Sequence, residues 1–147
     1  MRTGSFTYGV QARCTLAQAR DLLSDVTRQG QLHPLILEVR ELLAMPGALR
    51  SYAITDRLAF GPVRFRITYY ADTLSITDHE IVTVARQRPA TTLRNTVRLS
   101  EIGDGRIDIA VTIDLTAPTL LYGVALRTGR AAHLELAQRI KAVLEAA

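Results

Sequence analysis

The chain has 147 residues, of which 48% are apolar and 22% charged, and its formal net charge is +4. These fractions are typical of globular proteins and exclude an intrinsically disordered chain. No apolar run approaches the roughly 18 residues that a membrane span needs. A single cysteine, Cys14, excludes an internal disulfide framework and a multi-cysteine zinc site. We therefore expect a single cytoplasmic domain over residues 1–147.

The first two predicted elements are a strand and a helical region. Residues 5–14 alternate between apolar and polar side chains, which is the period-two pattern of a half-buried strand. Thr15 is a good helix N-cap, and apolar residues recur after it at helical spacing until Gly30, which we expect to end the helical region. Pro34 disfavours helical backbone at His33, so the chain should be extended there.

A long run of strands follows, and one helix closes the chain. Turn signals containing glycine or proline separate segments that we predict as six further strands. The facing of residues 80–88 stays open, because their apolar residues occur in both phases. After Pro118 no further proline interrupts an apolar stripe with spacings of three and four residues, which predicts a helix roughly 40 Å long.

An antiparallel sheet with one apolar face and a long amphipathic helix predict an α+β fold in which the sheet curls around the helix. The order β-α-α-β6-α resembles the helix-grip fold of the SRPBCC, or START-like, superfamily, which includes polyketide cyclases and lipid-transfer domains. The segments that carry this resemblance are residues 14–19 (CTLAQA), 22–25 (LLSD), 32–34 (LHP) and 60–65 (FGPVRF). One departure is Leu32, because the family often has Trp before a His-Pro pair.

The resemblance implies a single START-like domain with a curved antiparallel sheet of about seven strands wrapped on the C-terminal helix. It also implies a cavity between sheet and helix that holds an apolar ligand. It implies no fixed catalytic set, because members of the superfamily include carriers, cyclases and receptors. Function must therefore be argued from the residues that face the cavity.

Polar residues that share the apolar phase of their strand or helix should face this cavity. Asp56, Asn95 and His133 meet this criterion. The other predicted ligand-binding residues are tyrosines of the same phase and one glycine on the helix stripe: Tyr8, Tyr52, Tyr69, Tyr122 and Gly129.

The roles of the three polar residues are left open by the sequence. His133 should lie on the cavity wall, where it either contacts a ligand or is a core histidine bonded to Asn95 or Asp56. For Asp56 we favour a strand bulge or a surface salt bridge over an acid–base role. Asn95 either contacts a polar group of the ligand or makes a structural hydrogen bond.

The function that these features favour is binding of a small hydrophobic molecule, such as a lipid, an isoprenoid or a polyketide-like compound, by a carrier or sensor. The alternative is a polyketide cyclase or aromatase that uses general acid–base residues in the same cavity, without a metal or a covalent intermediate. We expect no cofactor and no metal. We also expect no nucleic-acid partner, because the outward phase of the strands offers few aromatic residues for stacking.

Two surface features bear on further partners. Six arginines mostly take the outward phase of their strands: Arg64, Arg66, Arg86, Arg88, Arg94 and Arg98. They favour a solvated sheet face with cross-strand ion pairs, and the alternative is peripheral contact with an anionic membrane. The start of the last helix, residues 120–126, is apolar on all sides, which indicates burial or, alternatively, a homodimer contact.

Overall fold

A computed structural model describes residues 1–147, apart from the side chain of Phe60. The alternating pattern predicts that Phe60 shares the face of Leu58, and this prediction lies outside the described side chains. The chain forms seven strands and three helices in the order β-α-α-β6-α. The elements are β1 (Arg2–Arg13), α1 (Leu16–Leu23), α2 (Val26–Leu32), β2 (Ile36–Leu42), β3 (Arg50–Phe60), β4 (Val63–Ile76), β5 (Glu80–Gln87), β6 (Thr91–Gly103), β7 (Arg106–Ala117) and α3 (Thr119–Ala146).

The strands form one antiparallel sheet in the order β1-β7-β6-β5-β4-β3-β2. Strands β2 to β7 follow one another through hairpins, and β1 pairs with β7 along its whole length. The turn between β6 and β7 takes positive φ angles at Gly103, Asp104 and Gly105, which suits the glycines at its two ends. The predicted helix-grip fold is confirmed.

Helix α3 lies across the sheet, and its two halves differ in packing. The second half buries Leu136, Ile140 and Leu144 in one cluster with Ile109 and Ile113 of β7. The first half is different, because Leu120 is 94% exposed and Leu121 and Val124 are also exposed. The expectation that residues 120–126 are buried is therefore wrong for Leu120, Leu121 and Val124, although Tyr122 is buried.

The helical region after β1 is two helices rather than one. Thr15 caps α1 through a capping box with Gln18. The break falls at Ser24 and Asp25, and Asp25 caps α2 by accepting a hydrogen bond from the backbone N–H of Arg28. The prediction that Gly30 ends the region is wrong: Gly30 is buried inside α2, where a Cβ atom would lie 2.5 Å from Cγ2 of Val39. The glycine allows α2 to pack closely on β2.

The facing of β5, which the sequence left open, follows from its contacts. Ile81, Thr83 and Ala85 point to the concave side of the sheet, toward α3. Arg86 points to the convex side, where it makes an ion pair of 2.9 Å with Asp72. Arg88 follows the strand and lies at the turn into β6, so it does not belong to the convex face.

Candidate functional site

A cavity of about 490 Å³ lies between the concave face of the sheet and the first half of α3. Small residues of α3 face it, namely Ala125, Gly129 and Ala132. A Cβ atom placed on Gly129 would meet no atom within 4 Å, so the helix stands away from the sheet at this point. The volume lies within the range of about 300–1,000 Å³ that is typical of small-molecule sites.

The wall of the cavity is mostly apolar, with side chains from all three helices and from β2 to β7. Representative apolar residues are Ile36, Ile54, Leu58, Phe65, Ile67, Leu93, Leu115 and Leu136. Three groups of polar residues lie on the wall: a histidine group, a carboxylate group and an amide group. The remaining polar lining residues are Thr83, Gln87, Arg88, Thr91 and Thr128.

The histidine group consists of Tyr8, His33 and His133. The hydroxyl of Tyr8 lies 2.9 Å from Nδ1 of His133. The rings of His33 and His133 meet edge to face with 5.7 Å between their centroids. Nδ1 of His33 accepts a hydrogen bond of 3.1 Å from the backbone N–H of Leu35. The β1 strand, the end of α2 and the middle of α3 thus meet at one place on the wall.

Burial keeps both imidazoles neutral at physiological pH. It lowers the pKa of His133 to about 4, with a further contribution from His33. Burial also lowers the pKa of His33 to about 4, and the positive charge of Arg139 adds to the effect. Burial raises the pKa of Tyr8, which keeps its hydroxyl protonated. We therefore assign Tyr8 as the donor to His133, and each neutral ring then carries its proton on Nε2.

The carboxylate group consists of Asp56 and Tyr69, which are contributed by the neighbouring strands β3 and β4. Asp56 is only 7% exposed and lines the cavity. Burial raises its pKa to about 6, and the hydroxyl of Tyr69 offsets part of this shift. Its Oδ1 atom has no hydrogen-bond partner among the described residues. The favoured interpretation of Asp56 as a surface residue is wrong; the bulge in this region lies in β2, between Ile36 and Glu38.

The amide group is centred on Asn95 of β6. Asn95 lines the large cavity and also a small adjoining cavity of about 20 Å³, which it shares with Tyr8 and Gln29. Oδ1 of Asn95 is buried and has no partner among the described residues. An unpartnered buried acceptor costs about 1–3 kcal/mol. A donor supplied by a ligand would remove that cost.

The structure brings together most, but not all, of the residues predicted from the sequence. Asp56, Tyr69, Asn95, Gly129 and His133 line the cavity. Tyr8 reaches it through its hydrogen bond to His133.

Tyr52 and Tyr122 differ from the prediction, because they are buried outside the cavity lining. Tyr52 packs with Ile54 and Ala71 beneath α2 and β2. Tyr122 packs against Leu115 and Ala117 near the start of α3. Both residues have the inward phase, but other elements cover them: α2 and β2 cover Tyr52, and the end of β7 covers Tyr122.

Sequence reasoning missed several polar residues of the wall, notably His33, Gln29 and Arg88. The others are Thr83, Gln87, Thr91 and Thr128. For His33 the sequence predicts only extended backbone next to Pro34, and the structure has it at the end of α2. That the extended backbone brings the ring of His33 to the cavity wall is not encoded in the local pattern. Arg88 was assigned to the convex face, whereas it lies beside the cavity.

The hydrogen bond between Tyr8 and His133 gives a first prediction. Replacing His133 with leucine should lower the free energy of unfolding by about 1–3 kcal/mol, because the Tyr8 hydroxyl loses its acceptor inside an apolar wall. The double variant Tyr8→Phe/His133→Leu should recover most of this loss, since neither polar group remains. Urea unfolding of the single and double variants measures both effects. Additive effects of the two substitutions would show that the hydrogen bond contributes nothing.

Comparisons with known proteins show a likeness of fold. No family model matches the sequence, and no curated protein matches it. A di-domain aromatase/cyclase, StfQ from the steffimycin biosynthetic pathway, superimposes with a TM-score of 0.77 at 12% identity over 97% of this chain, which spans about half (51%) of the StfQ chain. The Zhui aromatase/cyclase from Streptomyces sp. R1128 has a TM-score of 0.70 at 12% identity, covering 98% of this chain and 94% of its own.

A plant enzyme shares the same architecture. Norcoclaurine synthase from Thalictrum flavum, solved as a point mutant with a transition-state analogue, has a TM-score of 0.68 at 11% identity, covering 97% of this chain and 94% of its own. At these identities the likeness concerns the fold alone. The neighbours share the helix-grip architecture that the sequence predicts.

Proposed function

We propose that this protein is a START-like carrier or sensor that binds one small, largely apolar molecule in the cavity between the sheet and α3. The observation that carries the proposal is the cavity itself, which has a volume of about 490 Å³ and a mostly apolar wall. Burial of an apolar ligand in such a space removes apolar surface from water, at about 25 cal/mol per Å² of surface.

The polar groups of the wall narrow the chemistry of the ligand. Oδ1 of Asp56 and Oδ1 of Asn95 are acceptors without partners, so they favour a ligand with hydroxyl groups. His33 and His133 are neutral rings with one N–H each, so they favour a ligand with a carbonyl or ether oxygen. A hydroxylated, carbonyl-bearing polyketide-like compound meets both requirements, whereas a plain hydrocarbon chain would leave every one of these groups unpaired.

The experiment that tests this function is mass spectrometry of the freshly purified protein. Spectra under native conditions should show a bound small molecule, and solvent extraction should release an oxygenated, mainly apolar compound. The binding stoichiometry should be one molecule per chain. The proposal would be contradicted if the purified protein carried no such compound and also failed to bind the apolar fluorescent probe 1-anilinonaphthalene-8-sulfonate.

A second candidate function is cyclisation of a ketone-bearing chain by acid–base chemistry. The observation in its favour is the buried carboxyl of Asp56, since a pKa of about 6 suits proton transfer near neutral pH. Against it, no hydrogen bond among the described side chains connects Asp56 with His133 or Asn95. A cyclisation by aldol condensation forms a carbon–carbon bond and releases water. The mass of the bound compound should therefore fall by one water during incubation if the protein is a cyclase, and stay constant if it is a carrier.

A further inference from the structure

The hairpin formed by β3 and β4 extends beyond the rest of the sheet. β2 pairs with β3 only as far as Asp56, and β5 pairs with β4 only from Tyr70 onward. Residues 57–66, here called the ribbon, find their strand partners only in each other. The ribbon therefore extends from the sheet as a pair of strands beside the cavity, and a hydrogen bond of 2.8 Å from the backbone N–H of Arg57 to the carbonyl of Leu35 holds its base.

Three exposed arginines lie on the ribbon. Arg57 and Arg66 face each other directly across the two strands, and Arg64 lies two residues from Arg66 on the same face. Like charges at directly opposed positions destabilise a strand pair. Among the described side chains, no acidic group forms an ion pair with any of the three.

Arginines in the middle of the convex face behave differently. Arg86 pairs with Asp72 and Arg98 pairs with Glu80. The predicted cross-strand ion pairs are therefore present in the middle of the sheet, but only two of the six arginines form them. The ribbon arginines form no ion pair, and neither do Arg94 and several arginines elsewhere among the described side chains. What distinguishes the ribbon is that three unpaired arginines lie close together on one exposed hairpin.

Exposed apolar residues surround the opening of the cavity next to the ribbon. Val63 at the ribbon tip is 58% exposed, and Phe65, which lines the cavity, is 41% exposed. Leu121 and Val124 of α3 also line the cavity and are exposed to solvent, and Leu120 projects beside them. The mouth of the cavity therefore lies between the ribbon and the start of α3, and its rim is apolar.

We propose that the tip of the ribbon and the first turn of α3 dock edge-on on the surface of an anionic lipid bilayer, with the mouth of the cavity between them. In this orientation the arginines on the convex face of the ribbon and Val63 on its cavity face both reach the interface. A bilayer interface offers negative head groups to the arginines and an apolar layer to Val63 and Leu120. An acidic protein or a nucleic acid would satisfy the arginines but leave the apolar rim in water. Docking in this orientation lets an apolar ligand move between membrane and cavity without crossing water. The protein would then exchange its ligand with a membrane as well as bind it.

Vesicle sedimentation tests the docking. The protein should bind vesicles of equimolar phosphatidylcholine and phosphatidylserine, bind weakly to phosphatidylcholine alone, and lose binding as salt is added. The variant Arg57→Gln/Arg64→Gln/Arg66→Gln should lower the partition coefficient roughly 100-fold, about 3 kcal/mol, since each basic residue near such a surface contributes about 1 kcal/mol. The control variant Arg86→Gln/Arg94→Gln/Arg98→Gln removes the same charge from mid-sheet and should keep most of the binding.

A second variant tests the apolar part of the surface. Val63→Ser/Leu120→Ser changes two exposed side chains and should weaken vesicle binding while the arginines remain. The ribbon arginine triple and Val63→Ser/Leu120→Ser should both bind 1-anilinonaphthalene-8-sulfonate like the wild type. A loss of membrane docking can therefore be distinguished from a loss of cavity binding. The docking proposal is overturned by equal binding to both kinds of vesicle, by equal loss in the two arginine triples, or by binding to polyglutamate in preference to vesicles.

Discussion

Leucine in place of Gly129 is expected to weaken binding of 1-anilinonaphthalene-8-sulfonate by roughly tenfold or more, about 1.4 kcal/mol, and to raise the melting temperature. Gly129 lies on the cavity wall, and a Cβ atom at this position meets no atom within 4 Å. The new side chain therefore enters the cavity and takes space from a ligand. Leucine is also favoured over glycine in a helix interior by roughly 0.8 kcal/mol. Fluorescence titration and thermal unfolding measure the two effects.

Gly123 provides a matched control on the same helix. It is exposed and lies outside the cavity lining, and a Cβ atom at this position would likewise meet no atom within 4 Å. Gly123→Leu should therefore give a similar gain in stability with no loss of probe binding. If Gly129→Leu binds the probe as well as Gly123→Leu does, the cavity is not the binding site.

Much of the fold could be predicted because two periodicities dominate the sequence. Residues 107–115 alternate strictly, and a strand with this pattern has only one way to place its apolar side chains on a core. The stripe of α3 is equally clear over Leu136, Ile140 and Leu144, which the structure buries. The facing of β5 could not be predicted, because Val82 and Val84 are buried on the convex face, so both phases of that strand are apolar.

The site was harder to predict than the fold, because it depends on the curvature of the sheet. The phase of a strand tells which face a side chain takes, but not which element covers that face. His133 lies on the cavity wall as its helix phase predicts, whereas its partner Tyr8 could not be distinguished from Tyr52 and Tyr122. His33 approaches His133 from a distant part of the sequence, and no local pattern encodes such a meeting.

Acid should destabilise the protein between pH 7 and pH 4.5 through His33 and His133. Both have a folded-state pKa of about 4, below the value of 6.5 for an unperturbed histidine. The unfolded chain therefore takes up protons first as the pH falls, and stability present above pH 6.5 is lost toward pH 4. Linkage gives a loss of about 2–3 kcal/mol per histidine by pH 4.5.

Asp56 should oppose this trend. Its folded-state pKa of about 6 lies above the ordinary value of 3.8, so ionisation destabilises the folded state as the pH rises. Lowering the pH from 7 to 4.5 should therefore return about 2 kcal/mol. The net loss for the wild type is then about 3 kcal/mol, and for Asp56→Asn it is about 5 kcal/mol, because the opposing contribution is gone.

Urea unfolding at pH 7, 5.5 and 4.5 distinguishes the histidine contribution from the Asp56 contribution. These pH values lie on both sides of the pKa of an unperturbed histidine, which is about 6.5. His133→Gln should have a shallower pH profile than the wild type, and Asp56→Asn a steeper one. His79→Gln is the matched control, since His79 is exposed and lies outside the cavity lining, and it should follow the wild type. Parallel pH profiles for His133→Gln and His79→Gln would mean that His133 is hydrated in the folded protein. That result would contradict the placement of His133 in the apolar cavity wall beside Tyr8.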